Sequence, residues 1–421
     1  MSIEQSETTS GGVEKQASGC PIDHSAWSAQ KTTHSVERTD VPVEQDEAGV
    51  WHVHTFEEAR AVLRSSNVKQ AGFGKETMDG LDRDNKMKPP VLFQEGKDHQ
   101  LQRKQTAKYF TPKAVDSNYR QLMETVSSKL ISDFQRSKHA DLSALSRSMA
   151  VKIASEVVGL TDSILPGMGK RLDMFFEGDV LDMAKHMSPK VFLKSLSNQY
   201  AMTGFFFLDV KPAIRARKRA PKDDVISHLI AQNCTDAEIL AECITYAAAG
   251  MVTTREFICV AGWHLLEDTQ LRTRYLSAPE NERYEILNEL LRLEPVVGNL
   301  YRRTTAEVTL KSGDQQTVIP EGSLIDIHVR GANIDERVTG EKPMSICPGR
   351  TLTGTQVPLA LMSFGDGVHR CPGSYIAIQE SDLFLQRLLT IDGLSIKKLP
   401  HIKWNELVTG YEIRDFELAI N

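Results

Sequence analysis

The stretch at residues 235–268, TDAEILAECITYAAAGMVTTREFICVAGWHLLED, narrows the possible folds more than any other part of the chain. Thr235 followed three residues later by Glu238 is a capping-box start. No proline interrupts the next thirty or so positions, so the pattern predicts one helix far longer than average. Apolar residues occupy almost every face, which sends that helix through the protein interior. Glu242, Arg255 and Glu256 break the apolar run before it reaches bilayer-spanning length, and so argue against a membrane anchor. At its centre Gly250 costs roughly 1 kcal/mol relative to alanine. Beside it stand the hydroxyls of Thr253 and Thr254. Either a ligand approaches the backbone closely there, or the glycine is a helix–helix packing notch whose neighbouring hydroxyls bond back to earlier carbonyls.

A chain of 421 residues with 40% hydrophobic content can bury the core such a helix needs. From Gly49 the pattern predicts a short strand and an amphipathic helix, then helices over 100–109, 117–135, 142–158, 189–207 and 223–232. Strand signals are short and late, in EVTLKSG and QTVIPEGSLIDIHV. The fold class is therefore mainly α with small β-sheets, as a single domain over 45–421. Residues 1–44 are rich in Ser, Thr, Glu, Gln and Lys and read as a disordered tail without a signal peptide, so a cytoplasmic location is expected. A net charge of −6 gives no reason to expect a nucleic-acid partner. The six cysteines are scattered without a CxxC pair, against a disulfide framework or a zinc ribbon. GFGKET from Gly72 and GMGK from Gly167 are incomplete as dinucleotide or P-loop fingerprints, so no built-in nicotinamide domain of the usual kind is present.

Residues 364–373, FGDGVHRCPG, describe a tight loop. The helical spacing of SYIAIQESDLFLQRLLTI then places Cys371 just before a helix N-terminus. Free amides and the helix dipole favour an anion there and predict a lowered thiol pKa, and a thiolate is both a nucleophile and a metal ligand. No nucleophile elbow or assigned base accompanies it, and so polar a loop argues against an inert buried thiol. In SAPENERYEILNELLRLEP, Ser277 and Glu280 form a second capping-box pattern. Glu289 and Arg292 lie three apart on one helix face, a spacing that on a surface is worth only about 0.2–0.5 kcal/mol.

The order of these parts carries the information: a capped helix with Gly-x-x-Thr-Thr, then Glu-x-x-Arg, then Phe-Gly-x-Gly-x-His-x-Cys-x-Gly. It resembles the cytochrome P450 family of heme-thiolate monooxygenases. The loop matches at Phe364, Gly365, Gly367, His369, Cys371 and Gly373. GKDHQLQRKQTAKYFTP, RKRAPKDDVISHLIAQ, VIPEGSLIDI and RGANIDERV are similar to further family landmarks and extend the likeness over most of the chain after about Gly49.

The resemblance implies the P450 fold, with the long helix over a buried heme b and Cys371 as axial iron ligand; thiolate ligation favours oxygen activation. It places Phe364 and Gly373 around the sulfur, and Ala249 and Gly250 beside the heme. His99, Arg103, Arg302 and His369 would meet the propionates, Arg302 being preferred to Arg303 by its spacing ahead of TTAE. Glu289, Arg292 and Arg350 would form a structural ion cluster.

In chemistry it implies O2-dependent hydroxylation of a hydrophobic small molecule, with Thr253 holding the protonating water network. The usual acid before that threonine is Val252 here, and Glu256, one turn on, is the candidate substitute. Phe93, Ala249, Val252, Val296, Val297 and Tyr411 would line the substrate pocket. Electrons would come from a separate ferredoxin or flavodoxin with its reductase, so NAD(P)H acts indirectly, and Lys104, Lys108 and Arg370 are candidate docking cations. Val252 keeps open a peroxide-driven or non-hydroxylating reaction (coupling, desaturation, or one like nitric-oxide reduction), and a heme gas sensor keeps a smaller place.

Overall fold

The computed structural model describes residues 31–32, 41–73, 75, 88–176, 200–405 and 409–421. Its helices are α1 (Phe56–Arg64), α2 (Gly96–Thr106), α3 (Arg120–Ser137), α4 (Leu142–Val158), α5 (Met168–Phe176), α6 (Lys211–Arg219) and α7 (Val225–Ala231). They continue with α8 (Asp236–Ala247), α9 (Thr253–Glu267), α10 (Thr269–Ser277), α11 (Glu280–Leu293) and α12 (Ser374–Leu389), among shorter helical turns. The strands are β1 (Val43–Gln45), β2 (Trp51–Val53), β3 (Val68–Gln70), β4 (His139–Asp141), β5 (Asn299–Thr304) and β6 (Val308–Ser312). The later ones are β7 (Gln315–Ile319), β8 (Leu324–His328), β9 (Leu394–Lys398), β10 (His401–Asn405), β11 (Gly410–Arg414) and β12 (Glu417–Ile420). They pair as a five-stranded sheet β1-β2-β8-β5-β3, a three-stranded sheet β4-β12-β9, and the hairpins β6-β7 and β10-β11. A mainly helical body with small sheets is what the hydrophobic periodicity predicts.

The long helix does cross the interior. In α9, Ile258, Cys259, Val260 and Ala261 are all fully buried. A Cβ built on Gly262 would stand 3.1–3.2 Å from the side chains of Leu142 in α4 and Leu385 in α12, so the missing side chain sets how closely three helices meet. The capping box forms as predicted: Glu238 accepts from the Thr235 amide at 2.7 Å, and the Thr235 hydroxyl accepts from the Glu238 amide at 3.3 Å.

Three expectations need correction. The long helix is not uniform; between α8 and α9 it widens into a π-helical turn, Ala248–Val252, around Gly250. The second capping box is absent, because Ser277 still belongs to α10 and its hydroxyl goes to the Arg274 carbonyl. Pro279 takes the cap position of α11, and Glu280 pairs with Arg120 instead. Ordered structure also begins before residue 45: β1 starts at Val43, and Thr32, buried to 4% exposure, donates to the Glu294 carboxylate. Residues 1–30 and 33–40 of the expected tail lie outside the described residues, as do 189–199 of the expected helix 189–207. That helix is present from 200 and runs into a π turn at Phe206–Val210.

Pairing of β2 with β8 sets His52 opposite Asp326, and pairing of β5 with β8 sets Asn299 opposite His328. Side chains two apart on a strand share a face, so His52, His54, Asp326 and His328 converge on one side of the sheet. Burial, reinforced by His54 and His52, pushes His328 down to about 3, and burial pushes Asp326 up.

Candidate active site

The cysteine loop closes on itself where the Phe364 carbonyl accepts from the Cys371 amide at 2.8 Å. One of its glycines answers to α1 as much as to any ligand. Gly367 has φ +67°, and a Cβ there would lie 2.1 Å from the Leu63 carbonyl oxygen. Only glycine fits both the backbone angle and the contact. Beside it Asp366 accepts from the Gly367 amide at 2.6 Å and pairs with Arg60 at 3.3 Å and Arg64 at 3.1 Å. The loop is thereby clamped to the end of α1.

Cys371 precedes α12 as predicted. Its predicted pKa direction is not met. Burial pushes the thiol up, and the Gly373 amide with the guanidinium groups of Arg103 and Arg370 offsets that only in part. Desolvation outweighs the helix start, so a thiolate here needs a cation bound to sulfur, which deprotonates a coordinating thiol outright.

The cationic set assembles beside the loop. His99, 2% exposed, stacks on His369 with ring centroids 4.1 Å apart. Burial, with His369 and Arg103 adding to it, lowers His99 to about 4. Arg302 is buried, donates to the Tyr301 carbonyl at 2.8 Å and is drawn down to about 10 by burial. Arg303 instead reaches the Gly322 carbonyl, which supports the choice between the two. Arg103 donates to the Arg370 carbonyl next to the cysteine.

Sequence reasoning missed the anion at the centre, Glu95. It accepts from the Gln70 amide at 2.6 Å and stands 3.2 Å from His369 Nε2. Burial would raise this carboxyl, yet His369, Gln70 and Arg302 together hold it below its ordinary value. Nothing in its local sequence marks it, because its partners come from distant segments. A buried guanidinium and two imidazoles around a half-buried thiol suit a ligand that brings both a metal and carboxylates, so the residues fit heme b.

On the helix side, a Cβ on Gly250 would sit 3.3 Å from the Ala154 Cβ, so this glycine is the packing notch against α4. Ala249 is exposed although Ala247 and Met251 on either side are buried. The Thr253 hydroxyl donates to the Ala249 carbonyl at 2.5 Å within the widened turn, and Val252 is 7% exposed. Glu256 does not serve this site. It is fully buried and accepts from Arg255 Nε at 2.8 Å, the Ile413 amide at 2.7 Å and Arg414 Nη1 at 2.8 Å. Its carboxylate fastens β11 to α9, and its expected relay role is withdrawn.

The ion cluster is as expected and better satisfied than a surface pair. Arg292 donates twice to Glu289, at 2.8 and 2.7 Å, and Arg350 donates to it at 3.1 Å. The Cys347 amide adds a fourth bond, and Arg292 also reaches the Asn333 carbonyl. Among the expected pocket residues, Phe93 and Val296 are buried apolar groups, and Val297 bridges Gly410. Tyr411 is a correction: it has no exposed surface, its hydroxyl donates to the Glu294 carbonyl and Arg330 lies over its ring. It is a packing residue.

A second network went unforeseen. Buried Glu242 of α8 accepts from the Val91 amide at 2.8 Å and from Gln102 Nε2 at 2.5 Å, and Gln94 donates to Gln102 at 2.7 Å. The 3.6-residue period around Glu242 showed it only as an interruption of an apolar helix.

A family model described as Cytochrome P450 matches residues 284–391. Cytochrome P450 119 of Sulfolobus acidocaldarius is 31% identical over 195 residues, 45% of this chain and 48% of that protein, so this match spans about half of the relative's length. Cytochrome P450 109 of Bacillus spizizenii is 23% identical over 373 residues, 86% of this chain and 84% of that one. Among solved structures, CalO2 superposes with a TM-score of 0.73 at 19% identity, covering 91% of this chain and 93% of that one. P450BioI, in complex with an acyl carrier protein bearing hexadec-9Z-enoic acid, gives 0.71 at 22% identity over 90% and 94%. With the cysteine loop, the buried Glu-x-x-Arg cluster and the helical architecture in one chain, the protein belongs to the cytochrome P450 family, whose cofactor is heme b.

Proposed function

We propose that residues 43–421 form one heme domain that inserts oxygen from O2 into a hydrophobic small molecule, most simply as a hydroxylation. The observation that carries this reading is Cys371: a half-buried thiol just before α12, met by the Gly373 amide and backed by Arg103 and Arg370. Cys371 would ligate the iron, and the Gly373 amide would draw charge from the sulfur and tune its donor strength. His99, Arg103, Arg302 and His369 would hold the propionates, with Glu95 ordering His369. Bound heme supplies dioxygen activation. Thr253, whose own proton goes to the Ala249 carbonyl, would accept from a water at its oxygen and so hold the network that delivers protons.

Phe93, Ala249, Val252, Val296 and Val297 would present apolar surface to the substrate. Solved relatives carrying a fatty acyl chain, erythromycin B or corticosterone support that chemical class. Electrons would come from a ferredoxin or flavodoxin docking on Arg370 and Lys104. Lys108 contributes less, being paired with Asp223 at 2.7 Å. Among the described residues no helix is long and apolar enough to cross a membrane.

The test is the carbon monoxide difference spectrum of the reduced protein. A Soret band at the thiolate position, lost in Cys371→Ser, supports the assignment. A histidine-type spectrum from folded protein refutes it.

A second reading rests on Val252 and Glu256. With Val252 apolar and Glu256 committed to β11, no carboxylate of that turn serves Thr253, which favours a reaction that needs no relayed proton from such an acid. Turnover with hydrogen peroxide or directly with NADH, exceeding that with a ferredoxin system, would establish it.

A further inference from the structure

Three ligand atoms meet on the five-stranded sheet. His52 Nδ1 and His328 Nε2 are 2.9 Å apart, and each is 3.6 Å from Asp326 Oδ2. We propose that His52, Asp326 and His328 form a zinc site, with water as the fourth ligand, that ties β2 to β8.

The three separations carry this proposal. Four ligands placed tetrahedrally at 2.0–2.1 Å from Zn²⁺ stand about 3.3 Å from one another. The observed edges of 2.9, 3.6 and 3.6 Å bracket that spacing. A hydrogen bond accounts for the 2.9 Å edge between the imidazoles but not for the approach of Asp326 to both, since 3.6 Å is too long for either imidazole to bond the carboxylate.

The atoms around the triangle orient it for a cation. His52 Nε2 lies 3.2 Å from Asp46 Oδ2 on its outer side. That carboxylate holds the proton on Nε2 and turns the Nδ1 lone pair inward, as the outer carboxylates of metal-bound histidines do. The other oxygen of Asp326 accepts from Asn299 Nδ2 at 2.7 Å, leaving Oδ2 for the centre. His54 stacks on His328 at 4.3 Å and is held by Glu44 at 3.1 Å. Two imidazoles and one carboxylate suit a borderline cation better than calcium or magnesium, which take oxygen sets. The His52 and His328 side chains keep 21% and 33% exposure, so an ion can enter from solvent. The site stands on strands, and none of its ligands is among the residues assigned to the heme.

The experiment uses the heme-loaded full chain without an affinity tag, stripped with a chelator and titrated with zinc chloride by calorimetry, followed by zinc-edge X-ray absorption. One equivalent is expected, with imidazole scattering at about 2.0 Å. Asp326→Asn and His328→Ala should weaken binding by at least 100-fold, and Asp46→Asn by about tenfold, within the range for an outer partner. The carbon monoxide spectrum of each variant reports whether it is folded. If His328→Ala does not fold, the isosteric Asp326→Asn decides alone. Failure of the wild type to bind at 100 µM zinc overturns the proposal and leaves a hydrogen-bonded histidine pair. So does uptake by Asp326→Asn equal to wild type.

Discussion

Glu242→Gln should change how stability depends on pH, by an amount the structure sets. Burial raises the Glu242 carboxyl from its ordinary 4.5 to about 7, against the opposing hydrogen bonds from the Val91 amide and Gln102. A raised acid binds its proton more tightly in the folded state. Its contribution is therefore fully favourable below about pH 4.5 and is lost as pH rises to about 7 and beyond. At about 1.4 kcal/mol for each factor of ten in proton affinity, the loss amounts to about 3 kcal/mol. Glutamine cannot ionise, so the variant escapes that loss. Its amide would face the position of Oε2, which has no hydrogen-bond partner among the described residues. That adds a pH-independent cost of about 1–3 kcal/mol. The quantity to measure is thus the stability difference between variant and wild type in urea, at pH 5 and pH 8.5 on heme-loaded protein. It should move by about 2.5 kcal/mol in favour of glutamine between the two, because part of the loss has already occurred at pH 5. A difference that stays constant within 0.5 kcal/mol would refute the placement of Glu242 in a dry pocket.

Gly367→Ala must bring a Cβ onto the Leu63 carbonyl at a positive φ, so it should cost at least about 2 kcal/mol and lower the heme-to-protein ratio on purification. Glu289→Ala would strand fully buried Arg292 without its carboxylate, and a loss of about 3–5 kcal/mol is expected by denaturant titration. Thr253→Ala should depress O2-dependent turnover while peroxide-driven turnover persists and Thr253→Ser restores it; equal loss with both oxidants would count against a proton-holding role. Arg370→Glu should slow reduction by an acidic ferredoxin and flatten its salt dependence, read by stopped flow.

Legibility followed the range of the interactions. Helix 142–158 is found at the predicted residues because its cap and period are local. The cysteine loop, the Glu289–Arg292 pair and the long helix were likewise readable from spacing. What escaped depended on partners far away in sequence. Glu256 looked free to relay protons until β11 supplied Ile413 and Arg414. Tyr411 looked like a pocket wall until Glu294 and Arg330 took its hydroxyl and ring. Glu95 showed no signal at all. The thiol pKa was misjudged because a helix start can be read from local sequence and the depth of burial cannot.

The clamp between Asp366 and α1 joins residues 302 positions apart. During synthesis α1 leaves the ribosome early and waits, Arg64 without its Asp366 partner, until nearly the whole chain has followed. Contacts of such span form late in folding, since the loop they close is long. Capture of the cofactor by Cys371 should accordingly be among the last steps of maturation, and a chain truncated within α12 should fail to retain heme even though every ligand residue has been made.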